Sequence, residues 1–450
     1  MQSILLKQGT VIGSSGRSVA DVLIEGDTIS RVAPSLSVRA DREIDCEGKL
    51  IFPGMIDTHV HFRDPGLTAK GDALTESRAA VAGGVTTVCD MPNTVPNTTS
   101  LALVKQKQAI YAKKCLCNFG IYIGATRDNL DELKEADLDP TIPAIKIFMA
   151  ESTGEMTIPD DESLEPIFRE TTKLIAVHAE NEFRRLERLD ALANGKLPEV
   201  VGLAADDPYL HAVVRDNQTA AEGTAKAVAL ATAYLHRTHI LHMSAKEELP
   251  FLEKGVDSGL VTGETCPHYL LFDREDLKTK GTAVLMNPAL KGAEDREALW
   301  QALRDGLISQ VATDHAPHLR EEKARPYPDA PAGLPGVQFA LPLLLHAVFE
   351  RRLRFEDIAR LYAEAPARNY AIADKGYVRE GFDADITIVD PTAFMEISDA
   401  MVESRCGWTP YAGMRLEGGS VWMTIVNGRV VFENGKVRET GFGTSIRIEG

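Results

Sequence analysis

The stretch 50–66 reads LIFPGMIDTHVHFRDPG. Its apolar run passes directly into two histidines, His59 and His61, two residues apart. In an extended strand the side chains at i and i+2 share one face, so both rings can point at one bound ion, and Arg63 continues that face. Taken alone, a His-x-His pair fits two hydrogen-bonded histidines as well as two metal ligands. What decides between them is whether ligand-type residues recur at the ends of other strands.

From Gly54 onward, short apolar strands alternate with helix-length amphipathic segments, the pattern of βα units on a parallel sheet. Eight such strands are predicted, near 55–60, 85–90, 119–124, 144–149, 174–178, 238–242, 260–265 and 310–314. Eight parallel strands with intervening helices predict an α/β fold, a closed (β/α)8 TIM barrel. A first helix is predicted over 70–82, stopped at Gly83-Gly84, and an Ala-rich scaffold helix over 217–236. Residues 2–50 and the last part of the chain read instead as short strands with tight turns at Gly26, Gly428 and Gly435. The predicted division is one β-rich module from both termini, 1–53 plus 376–450, around a barrel at 54–375. The segment 317–336 is rich in Pro, Gly and charge and lacks periodicity, so it reads as a long loop and a candidate lid after the last barrel strand.

With 44% apolar and 26% charged residues in 450, the composition is that of an ordinary soluble protein. A net charge of −17 argues against a phosphate-binding surface, so no nucleic-acid partner is expected. Six cysteines are too sparse for a disulfide framework in a chain this long, and Cys115 and Cys117 read as small buried hydrophobes. The N-terminus lacks the features of a signal peptide and no run approaches a membrane span. The expectation is a cytoplasmic protein with no membrane partner.

Active sites of such barrels sit at the C-terminal ends of the strands. There the sequence concentrates His59 and His61 on strand one, Lys146 on strand four, His178 on strand five, His242 on strand six and Asp314 on strand eight. Each has a plainer reading: a strand-end histidine held by hydrogen bonds, or an aspartate capping the next loop. Lys146 is odder, because an inward-facing lysine between Ile145 and Ile147 must be paired or have its pKa depressed. A neutral lysine can react with carbon dioxide to form a carbamate, whose two anionic oxygens can bridge two cations. The repeated position, rather than any one spacing, points to a two-metal hydrolase centre.

HFRDPG after His-x-His, CDMPNTVP at 89–96, AIKIFMAE at 144–151, AVHAE at 176–180, HILHMSA at 239–245, LMNPALKG at 285–292 and ATDHAPH at 312–318 run in this order over nearly the whole chain. Together they resemble the dihydroorotases of the amidohydrolase superfamily, in the branch that keeps a carbamylated lysine. The resemblance implies that a small β-sandwich from both termini flanks the barrel, and that two Zn2+ per subunit sit at the barrel mouth. It assigns His59, His61 and Asp314 to one metal and His178 and His242 to the other, with carbamylated Lys146 bridging. It implies reversible cyclisation of N-carbamoyl-L-aspartate to L-dihydroorotate in pyrimidine biosynthesis, by a metal-bridging hydroxide with Asp314 as general acid/base.

By the same resemblance the substrate carboxylate falls to Arg63, Asn93 and His318, and Asn287 is a further substrate contact. Lys291 stands where the family more often has Arg, which leaves its role open, and His268 reads as a neighbour of the metal site rather than a ligand. A homodimer is implied, and association with other pyrimidine-pathway enzymes stays open. Two other readings remain. One is a hydantoinase (dihydropyrimidinase) or allantoinase, whose substrates lack the ring carboxylate. The other is a non-catalytic structural homologue, which typically loses metal ligands.

Overall fold

The structure is a computed structural model that describes residues 3–151 and 156–449. Eight parallel strands surround one axis. The strands Met55–Val60, Val85–Asp90 and Asn118–Ile121 pair in sequence. Ile123–Gly124, Ile145–Phe148, Ile175–His178, Thr238–Ile240, Val261–Thr265 and Gln310–Val311 form the other run. The two runs meet at Tyr122, a one-residue interruption within the third strand. On the opposite side, the parallel bridge between Val60 and His315 closes the ring. All eight predicted strands are therefore present. Nearly every barrel-strand residue is buried, as expected of strands covered by helices on the outside.

The helix Ala73–Ala82 begins three residues later than the sequence pattern predicts. The reason is its cap: Asp72 Oδ1 accepts from the backbone N–H groups of Leu74 at 3.1 Å and Thr75 at 2.9 Å. Lys70 is thus left in the preceding turn. The helix stops at Gly83, and Gly84 takes φ 81°. A Cβ on Gly84 would lie 2.6 Å from Thr387 Cγ2, so this glycine lets the barrel approach the β-rich layer. The Ala-rich helix spans Asn217–Ala233.

Strands from both termini join one nine-stranded sheet in which Leu50–Pro53 lies between Ser3–Gly13 and Ile386–Asp390. Alternation along the strands decides what each face covers. Ile51 packs with Ile4, Leu6, Val22, Ile24, Ile386, Ile388, Met423 and Ile425 in a core of the sheet's own. Because strands from both ends of the sheet meet there, it folds over onto itself. Leu50 and Phe52 point the other way and join the barrel core. The C-terminal tail leaves this sheet: Ile446 donates a backbone hydrogen bond to Phe119 in the third barrel strand, and Ile448 to Pro140 in the turn that leads to the fourth.

The segment 317–336 is less irregular than the sequence suggested. It contains the short helix Arg320–Lys323, and Lys323 Nζ, buried beneath it, donates to the carbonyls of Leu285 at 3.0 Å and Pro331 at 2.8 Å. No helix among the described residues is long and apolar enough to cross a membrane.

Candidate active site

His59 lies on the first barrel strand and His61 one residue beyond its end, where the backbone N–H of His61 donates to His315 at 2.7 Å. Asp314, three residues past the last strand, adopts φ 48° and turns its carboxylate between the two rings. Its Oδ1 lies 3.2 Å from Nε2 of His59 and 3.0 Å from Nε2 of His61. The three side chains are buried and their ligand atoms lie within 4.8 Å of one another. Burial alone would raise the Asp314 carboxyl, but the facing His59 and His61 rings hold it well below the ordinary carboxylate range.

A second pair stands beside them. His178 ends the fifth strand, and His242, at φ 39°, follows the sixth. Nδ1 of His178 and Nε2 of His242 are 2.8 Å apart, and the His242 ring centroid lies 5.2 Å from that of His59. Lys146 is 1% exposed, and its Nζ has no hydrogen-bond partner among the described residues. Burial pushes its pKa down to about 7, against the pull of Asp314 and Glu264.

The outward nitrogens of three rings are tied down. His59 Nδ1 meets Glu264 at 2.7 Å, His61 Nδ1 meets Asn93 Oδ1 at 2.7 Å, and His178 Nε2 meets Glu180 at 3.0 Å. Metal-binding histidines are held in this way, with the far N–H on an oxygen and the near nitrogen free to ligate. With an unpartnered, readily neutral amine beside them, this donor set fits a divalent-cation pair. His268 is also buried at the barrel mouth, with neither ring nitrogen hydrogen-bonded among the described residues.

Arg63 corrects one step of the sequence argument. It does not continue the strand face, because the strand ends at Val60 and Arg63 takes φ 67°. The turn still brings it to His318, 3.1 Å from ring Nε2, and its Nε donates to the carbonyl of Pro317 at 3.1 Å. Asn93 accepts from a metal-type histidine, which gives it an orienting contact the sequence did not suggest. Asn287 Oδ1 lies 2.9 Å from His211 Nε2, in a cavity of about 330 Å3 shared with Arg215, Tyr327 and Ala332. Lys291 Nζ is spent on the backbone carbonyl of Arg215.

Sequence reasoning missed Glu264 and Glu180. Glu264 receives His59, His239, Thr58 and Gln310, and although burial opposes its ionisation, His239 and His59 hold its pKa at about 2. Glu180 pairs with Arg215 as well as His178. A signal for both existed: like Lys146, each is a charged residue within or directly after a buried barrel strand.

A model of the amidohydrolase family matches residues 50–431. A dihydroorotase of Methanosarcina acetivorans is 37% identical over 92% of this chain and 89% of its own. One of Halobacterium salinarum is 36% identical over 93% and 94%. An allantoinase of Bacillus velezensis is 30% identical over 99% and 97%. Among solved structures, an L-hydantoinase (dihydropyrimidinase) from Arthrobacter aurescens matches with a TM-score of 0.93 at 28% identity, covering 99% of this chain and 100% of that one.

Proposed function

The chain belongs to the amidohydrolase family and is a hydrolase, and on that premise we propose that it interconverts N-carbamoyl-L-aspartate and L-dihydroorotate. The observation that carries this reading is Arg63. It is 1% exposed, stands beside His318, and pairs with no carboxylate among the described residues. A buried guanidinium is costly unless an anion completes it, and its planar fork matches a carboxylate. Dihydroorotate carries a ring carboxylate, whereas hydantoin, allantoin and dihydropyrimidine rings do not.

His59, His61 and Asp314 would hold one zinc ion and His178 and His242 the other. Neutral Lys146 would add its Nζ to carbon dioxide, release a proton and present the resulting carbamate to both. When bound, the two cations supply Lewis acidity to the scissile amide carbonyl and to the attacking water. In ring opening, Asp314 takes a proton from that water and delivers it to the ring nitrogen as the C–N bond breaks; cyclisation runs the same transfer backwards. Arg63 and His318 hold the ring carboxylate, and Asn93 fixes the His61 ring. Asn287 contacts the rest of the ring.

The same reading carries a cytoplasmic homodimer, with 1–53 plus 376–450 as its β-sandwich and 54–375 as the catalytic barrel. Thermal denaturation with ligand tests the specificity. Dihydroorotate raises the melting temperature of the wild type and not of Arg63→Met, while hydantoin leaves both unchanged. Stabilisation by hydantoin alone would assign the site to a different cyclic amide.

A further inference from the structure

Two consecutive turns follow the first barrel strand: Leu67 N–H donates to Arg63, and Lys70 N–H donates to Leu67, each at 3.0 Å. They carry Lys70 back to the ring that Arg63 faces. Lys70 Nζ lies 3.0 Å from His318 Nδ1 and 3.0 Å from Glu322 Oε1. Glu322 also accepts the backbone N–H of Leu319 at 2.9 Å, and Trp408 Nε1 donates to the His318 carbonyl at 2.8 Å. The His318 carbonyl and the Nδ1 edge of its ring are therefore both held.

The ring's protonation follows from counting donors and acceptors. An ammonium only donates, so the Lys70 contact makes Nδ1 the acceptor and puts the ring proton on Nε2, while the Arg63 guanidinium, equally a donor only, favours the opposite tautomer through its contact with Nε2. That tautomer also satisfies the carbonyl of Ala332, which lies 3.0 Å from Nε2. The alternative tautomer satisfies the Arg63 contact at 3.1 Å and turns its N–H toward Glu322 Oε2, 3.7 Å away and outside hydrogen-bond reach, but sets Lys70 against another N–H, as the Nε2–H tautomer sets Arg63. With Lys70 two contacts favour Nε2–H against one for Nδ1–H; without it the contest is even.

We propose that Lys70 is a positioning residue that fixes the Nε2–H tautomer of His318, so that His318 and Arg63 present adjacent donors to the substrate carboxylate. This deepens the dihydroorotate reading and rests on it. Carboxylate binding moves the Nε2–H bond from Ala332 to the substrate and so acts on the 317–336 segment. Lys70 touches His318 rather than any reacting atom, so its loss acts on substrate capture more than on bond breaking.

The test combines ring 15N spectra of histidine-labelled, metal-loaded protein with kinetics. His318 is assigned by its loss in His318→Gln. In the wild type, Nε2 is protonated and Nδ1 is an acceptor. In Lys70→Met the two tautomers mix, and KM for dihydroorotate rises about tenfold with kcat within about twofold. Lys70→Arg, which keeps a donor, restores both readouts. An unchanged tautomer in Lys70→Met, or an unchanged KM, overturns the proposal. A wild type that does not turn over dihydroorotate would instead defeat the functional reading, while the ring spectra, which need no turnover, would still decide the tautomer.

Discussion

Glu264 Oε1 lies 2.7 Å from His59 Nδ1, while its Oε2 lies 3.1 Å from His239 Nε2. One buried carboxylate therefore anchors a metal-type histidine to the barrel interior. Removing its charge frees the ring to rotate and lowers the basicity of the ligating nitrogen. Glu264→Gln is expected to weaken metal binding about 10- to 100-fold. Metal content measured by mass spectrometry after dialysis against graded chelator checks this, and an unchanged binding curve would remove Glu264 from the site.

Lys146 has no hydrogen-bond partner among the described residues although it is fully buried. Lys146→Ala is expected to lose half or more of the bound metal and nearly all activity, with partial rescue by short carboxylic acids that replace the carbamate. Full metal content and an unaltered rate in the variant would rule out the bridging role.

Arg63→Met keeps length and apolar packing but deletes the guanidinium. Loss of a charged hydrogen-bonding partner costs about 1.5–3 kcal/mol, so affinity for dihydroorotate should fall roughly 10- to 100-fold with metal content spared. Calorimetric titration on the metal-loaded protein reads this directly. Equal affinity in the two proteins would mean that the carboxylate binds elsewhere.

The barrel was legible because burial on both faces writes strands as apolar runs, and eight of them recur with helix-length spacing. His59, His61, His178, His242 and Asp314 were legible because strand ends are where such folds place chemistry. Arg63 reached the right neighbour for the wrong reason. Period-2 reasoning assumes an extended backbone, and the φ of 67° that turns Arg63 toward His318 leaves no mark in the residue pattern. Lys70 and Glu264 act through partners 248 and 205 residues away, contacts that only closure of the barrel creates.

Lys323 gives the fold a pH dependence. Its ammonium is buried beneath the 317–336 segment, and burial lowers its pKa to about 7, whereas an unfolded lysine titrates near 10.4. Between these values the unfolded chain binds more protons than the folded one, so stability rises with pH across that window. Relative to Lys323→Met, the wild type should gain stability from pH 7 to pH 9, on the order of 2 kcal/mol at most. Parallel urea titrations check the sign. A wild type that loses stability relative to the variant over this range would show that the ammonium is retained on folding.

The central claim is that Arg63 and His318 make this metal-type centre selective for a ring carboxylate. The most direct measurement compares kcat/KM for dihydroorotate, N-carbamoyl-L-aspartate, hydantoin and allantoin on one preparation whose metal stoichiometry is known. The expected result is two metal ions per chain and interconversion of the first two compounds, with hydantoin and allantoin slower by about 10⁴-fold, the scale at which a site built for a polar group rejects ligands lacking it. Faster opening of hydantoin or allantoin than of dihydroorotate would contradict it.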